Sequence, residues 1–222
     1  MKTTNARKSR CAQVVETVSV AKGRVRLFPF DQYAWFQCVY ATIQRTLPQG
    51  TPQIALEPLQ RDLFDAVDAL SHQPPTADAF EPWIAGTIQT LAATYALSIG
   101  QSQRLINTLL LYHYCSYHAE CDLAWNAAHQ FIRQHGPLLH VPIDHHVLIG
   151  LKVTYDCPDI HINRERTSAS VRVGDALVSW SRLDDLPAYV RIQRFVQDVK
   201  DNHLQPFATA LDFAMAELAG TP

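Results

Sequence analysis

Two segments, far apart along the chain, carry residues that can do chemistry. Ser98-Ile99-Gly100-Gln101-Ser102-Gln103-Arg104 sets small and amide side chains ahead of an apolar helical run. A turn that opens a helix leaves backbone N–H groups unpaired, and such groups bind phosphate. Gln101, Ser102 and Gln103 would supply those donors, with Gly100 easing the turn and Arg104 adding fixed charge. His140-Val141-Pro142-Ile143-Asp144 is a proline-stiffened loop that delivers a carboxylate to the start of another apolar stretch. There the helix dipole favours negative charge, and a carboxylate so placed can stabilise a developing cation or activate water. The same residues also fit a plainer description: a helix connection whose N–H groups face water, and an N-cap aspartate worth about 1 kcal/mol.

The elements that position these segments are mostly helical. Tyr33, Phe36, Val39, Tyr40 and Ile43 recur at helical spacing over 30–47, behind Asp31 as a cap. Leu59, Leu63, Phe64, Val67 and Leu70 mark a second helix, closed by Pro74-Pro75. A third is expected over 78–97, and Ser102 is expected to cap the next, through Leu105, Ile106, Leu109, Leu110 and Tyr114. Further helices are expected over 122–134, from Asp144 to about Val153, over 186–199 and over 206–218. Residues 154–180 are irregular, with Val171, Val173, Leu177 and Val178 suited to a small hairpin. The expected fold is mainly α: two helical lobes with a cleft between them, containing a helix-hairpin-helix and a small β-hairpin. Residues 1–28 form a basic arm and 29–222 the helical domain.

Bulk composition narrows the function classes. The chain has 222 residues, 47% hydrophobic and 18% charged, as in ordinary globular proteins. No apolar run is long enough to span a membrane, and no apolar signal core follows the polar N-terminus. A cytoplasmic protein with no membrane partner is expected. The five scattered cysteines (11, 38, 115, 121 and 157) then read as free thiols. Net charge is −2, but residues 1–30 hold seven basic side chains against the single acid Glu16. A basic arm on an acidic body can follow a phosphate backbone.

The order of these features resembles the helix-hairpin-helix DNA glycosylase superfamily. There a glycine-rich hairpin ends in a helix and a later loop of Pro-Val-Asp type supplies a catalytic aspartate, to which Val141-Pro142-Ile143-Asp144 is similar here. The form Gly100-Gln101-Ser102-Gln103-Arg104 is most similar to the archaeal 8-oxoguanine glycosylases. A set of bacterial proteins shares the Gln-Lys-x-x-Asn helix, the His-x-Pro-Ile-Asp loop and a Trp-Ser-Lys-Ile-Asp segment before a tyrosine-rich helix. Here these are Gln103 to Asn107, His140 to Asp144, and Trp180-Ser181-Arg182-Leu183-Asp184 with Tyr189. The likeness spans roughly residues 80–200. It implies DNA as partner and Asp144 as the catalytic carboxylate, stabilising an oxocarbenium-like sugar and orienting water. It also implies DNA contact through Gly100, Gln101, Ser102, Gln103 and Arg104.

One departure matters. Bifunctional members use a lysine amine where this chain has Arg104, and a guanidinium cannot act as that nucleophile. The implied activity is therefore monofunctional: hydrolysis of a damaged or modified base, phage-modified bases included, without strand cleavage. Arg104 would hold a phosphate or stabilise the departing base. Extrusion of a nucleotide needs a pocket, and Trp180, Ser181, Asn107 and His140 are its expected lining. Trp35, Phe36, Tyr40, Trp83, Tyr112 and Trp125 also have suitable rings, though each fits a core role better. Two alternatives stay open: a non-catalytic DNA-binding protein on the same fold, and a helical protein-interaction module.

Other constellations are weaker. Asp144-His145-His146 spells a motif of manganese phosphoesterases, but neither the earlier strand aspartates nor the later glycine-rich histidine segment accompanies it. His113, Cys115, His118 and Cys121 lack the paired Cys-x-x-Cys knuckle of zinc sites. No metal and no cofactor is expected.

Overall fold

The computed structural model describes residues 40, 43–47, 54, 56–72, 74–118, 131 and 135–203, without the side chains of 71, 112, 115–118 and 203. The basic arm, the 122–134 helix apart from Phe131, and the 206–218 helix lie outside the described residues. Five α-helices are complete among them: α1 (Leu56–His72), α2 (Ala77–Tyr95), α3 (Ile99–His118), α4 (His145–Tyr155) and α5 (Leu186–His203). Three antiparallel strands, β1 (Ile160–Ile162), β2 (Ala169–Val173) and β3 (Ala176–Ser179), form one sheet in that order. The fold is mainly α, as expected, with a sheet one strand larger than the expected hairpin.

Helical periodicity accounts for the core. Leu59, Leu63, Val67 and Leu70 line one face of α1, and Phe80, Ile84, Ile88 and Leu91 one face of α2. Helix α3 is apolar over more of its circumference; Leu105, Ile106, Leu109, Leu110, Leu111 and Tyr114 are all buried. It is the central helix, packed against α1, α2, α5 and the 3-10 turn Trp180–Arg182. The sheet lies against α4 and α5, with Ala169 and Val171 pointing inward. The β2–β3 connection is the two-residue turn Gly174-Asp175, where φ at Gly174 is +57°. That positive φ at the first central position favours glycine.

The hairpin between α2 and α3 turns earlier than expected. Helix α2 stops at Tyr95, Ala96 takes the left-handed conformation, and Leu97 N–H closes the end on Ala92 O at 3.0 Å. Ser98, not Ser102, caps α3. Gln101 N–H donates to Ser98 Oγ, and Ser98 N–H donates to Gln101 Oε1, both at 3.0 Å. This is a reciprocal capping box, with the glutamine three residues beyond the serine. Ser102 instead lies within the helix, fully buried.

Gly100 serves close packing rather than the turn. A Cβ there would lie 1.6 Å from the carbonyl oxygen of Trp180. Gly100 N–H also donates to Leu183 O at 2.8 Å, so the helix start is pressed against the 180–183 backbone. Gly100→Ala is expected to lower unfolding stability by about 2 kcal/mol, because a main-chain carbonyl cannot rotate away as a side chain can. Urea midpoints measure this; an unchanged midpoint would mean the contact is loose.

Candidate active site

The loop before α4 is held by two buried glutamines. Gln193 of α5 accepts from Val141 N–H at 3.0 Å and donates to Val141 O at 2.8 Å. Gln103 of α3 treats Ile143 in the same way, accepting from its N–H at 3.0 Å and donating to its carbonyl at 2.7 Å. Each side-chain amide thus does what a neighbouring strand would do for an extended peptide, and buried backbone groups stay paired. Between them, Asn107 donates to Gln103 Oε1 at 3.1 Å and to the Tyr189 hydroxyl oxygen at 2.9 Å. His140 Nδ1 lies 2.8 Å from that hydroxyl. Burial lowers the His140 pKa to about 4 and pushes that of Tyr189 far up. The imidazole is therefore neutral near pH 7. With Asn107 donating to the Tyr189 oxygen, the phenolic hydrogen is left for Nδ1.

Clamped in this way, the loop presents Asp144. Its Oδ1 accepts from Val147 N–H at 3.0 Å, capping α4. Its Oδ2 lies 2.9 Å from Arg104 Nη2, and the two side chains are 14% (Arg104) and 6% (Asp144) exposed. Arg104 Nη1 also donates to Pro142 O at 3.3 Å. The two segments singled out from the sequence meet at this ion pair, just beneath the surface. His145 and His146 follow in the first turn of α4 with ring centroids 3.7 Å apart. Burial lowers the His145 pKa, and the neighbouring His146 adds to that.

No family model, curated protein or solved structure matches the chain. The site is therefore read from its own geometry.

That geometry corrects several expectations. Of the N–H groups meant for a phosphate, Gln101 N–H is used on Ser98 Oγ and Ser102 N–H on Ser98 O, and the adjoining Gly100 N–H is used on Leu183 O. Gln101, Ser102 and Gln103 are buried beneath or behind the turn. Gln103 is a clamp and Arg104 an ion-pair partner, so the expected phosphate clasp through this hairpin is closed. The expected base pocket changes as well. Asn107 and His140 are buried in the polar network, and the Trp180 side chain belongs to the core. Of the expected lining, Ser181 alone borders the open cavity beside the hairpin, about 920 Å³ in volume. Tyr40 is core and Trp83 packs on Phe80, while Trp35, Phe36, Trp125 and the side chain of Tyr112 lie outside the described residues.

Tyr189 and Gln193 complete the site, and Gln193 was not singled out from the sequence. The available signal was a glutamine on the apolar stripe formed by Tyr189, Ile192 and Val196. Among the described residues, no three His, Cys, Asp or Glu side chains are grouped to hold a metal. Asp144-His145-His146 opens a helix here rather than ending a strand. Cys115, His118 and Cys121 of the candidate zinc set lie outside the described side chains. No helix among the described residues is long and apolar enough to cross a membrane.

Proposed function

We propose that this protein is a monofunctional DNA glycosylase acting on a damaged or modified base. One observation carries the reading: the 2.9 Å contact between Arg104 on the hairpin helix and Asp144 at the start of α4. It joins, at one shallow point, the two motifs whose order resembles the helix-hairpin-helix glycosylases. In this reading the C1′–N bond breaks and the base departs with a proton. Water adds its oxygen to C1′, and an abasic site remains. The Asp144 carboxylate offsets the positive charge developing on the sugar and orients the water. Arg104 orients the carboxylate and forms no covalent link to the sugar.

The test is mass spectrometry of small molecules freed from duplexes carrying different damaged or modified bases. A released base without strand nicking is the expected result. Asp144→Asn keeps a capping side chain and is expected to abolish release while DNA affinity persists. The paired variant Asp144→Asn/Arg104→Gln controls for the unbalanced charge. No release from any duplex by a protein that binds DNA normally would overturn the proposal. That outcome favours a second reading, a non-catalytic DNA-binding protein. Its support is that both Asp144 oxygens already have partners and that the residue is 4% exposed.

A further inference from the structure

The open cavity beside the hairpin has a built floor and a charged rim. In the floor, Gln101 Nε2 donates to Thr46 Oγ1 at 3.0 Å, and Ser98 Oγ donates to Ser181 O at 2.8 Å. With the capping box, these bonds fix three separate stretches of chain against one another. The floor side chains are therefore set in place before any ligand arrives. At the rim stand the exposed residues Arg45 and Arg182, with the hydroxyls of Ser179 and Ser181 3.4 Å apart and the carboxylate of Asp184.

We propose that this cavity is a groove for the phosphate backbone of a DNA strand, gripped by Arg45 and Arg182. The inference rests on the reading above that DNA is the partner. It moves the backbone contact from the closed hairpin N–H groups to side chains next to them. Guanidinium forks match phosphate oxygens in pairs, and serine hydroxyls add donors without adding charge. An open concavity lets a polymer enter and leave, whereas small-ligand pockets enclose roughly 70–90% of their occupant. The position also suits the site. Gln101 in the cavity wall and Arg104 on the ion pair are one turn apart on α3, about 4.5 Å along its axis. The cavity and the ion pair thus share helix α3, while Arg104 and Asp144 lie outside the cavity lining.

The experiment is fluorescence anisotropy of a labelled duplex with the full-length protein across a range of salt concentrations. Arg45→Gln, Arg182→Gln and their double variant are compared with the unaltered chain. Both residues are exposed, so the variants are expected to fold. Each single change should reduce the slope of log K against log salt by about 0.9, and the double change by about twice that. Asp184→Asn should tighten binding. Unchanged slopes in a protein that binds DNA and releases a base would overturn the groove but leave the glycosylase reading standing. Reduced slopes with no base released would do the reverse. Saturable binding of inorganic phosphate in calorimetry, lost in Arg182→Gln while duplex slopes are unaltered, would assign the cavity to a free anion and overturn the strand proposal. A protein that binds no duplex at any salt overturns both.

Discussion

Arg104→Met is expected to lower the unfolding free energy by about 3 kcal/mol, and Asp144→Ala by about 4 kcal/mol, in urea titrations at neutral pH. The pair is 2.9 Å apart and largely withdrawn from water. Removing one partner leaves the other charge buried without compensation, which costs far more than the net worth of the intact pair. The two losses differ because Asp144 also caps α4 through Val147 N–H. Asp144→Ala removes that bond too, whereas Arg104→Met leaves the carboxylate its cap and the helix dipole. The double variant Arg104→Met/Asp144→Asn removes both charges and keeps a capping side chain. It is expected to lose only about 1 kcal/mol, well below the sum of the losses of Arg104→Met and of Asp144→Asn alone, the single change that closes the cycle. Additive losses would show that the charges do not sense each other, and the site would then lack the contact that supports its proposed chemistry.

The sequence revealed the large pieces of this arrangement and missed its fine register, for identifiable reasons. Apolar periodicity marked the helices on either side of the hairpin. Val-Pro-Ile-Asp ahead of an apolar run marked an aspartate N-cap, and Asp144 is one. The cap of α3 was misread by one turn because Ser98 and Ser102 are both small polar residues ahead of the same apolar run. Gln101, three residues after Ser98, was the deciding signal. Strand β1 is three residues long and shows no period of its own. It exists because Ile160 pairs with Val171 across the sheet. The fates of Gln103, Asn107 and His140 were illegible for a deeper reason. Amide and imidazole groups are equally suited to a wet cleft and to a closed network. Only the arrival of Tyr189 and Gln193 from the distant α5 makes the network closed. Gly100 shows the same limit: its type is visible, but the Trp180 carbonyl that requires it comes from another part of the chain.

The closed network also makes the loop sensitive to acid. His140 is buried, edge-on to Phe80, with its Nδ1 on the Tyr189 hydroxyl. Its pKa is lowered to about 4 by burial, a shift that the nearby Glu81 only partly opposes. An unfolded histidine titrates near 6.5. Between these values the unfolded chain binds a proton that the native protein refuses, so stability falls as the medium is acidified. The loss begins near pH 6.5, is complete below about pH 4, and amounts to about 3 kcal/mol from this one residue. Carboxylates titrate over part of the same range, so the quantity to measure is a difference. Urea-unfolding free energies of the wild-type protein and of His140→Asn should draw together by about that amount between pH 7 and pH 4. Asparagine can still accept from Tyr189 but does not ionise. The consequence reaches the site, because a protonated His140 cannot accept the Tyr189 hydroxyl at Nδ1. Tyr189 shares Asn107 with Gln103, which fixes Ile143 next to Asp144. Parallel pH profiles for the two proteins would mean that His140 has access to water, and the closed network would have to be redrawn as an open one.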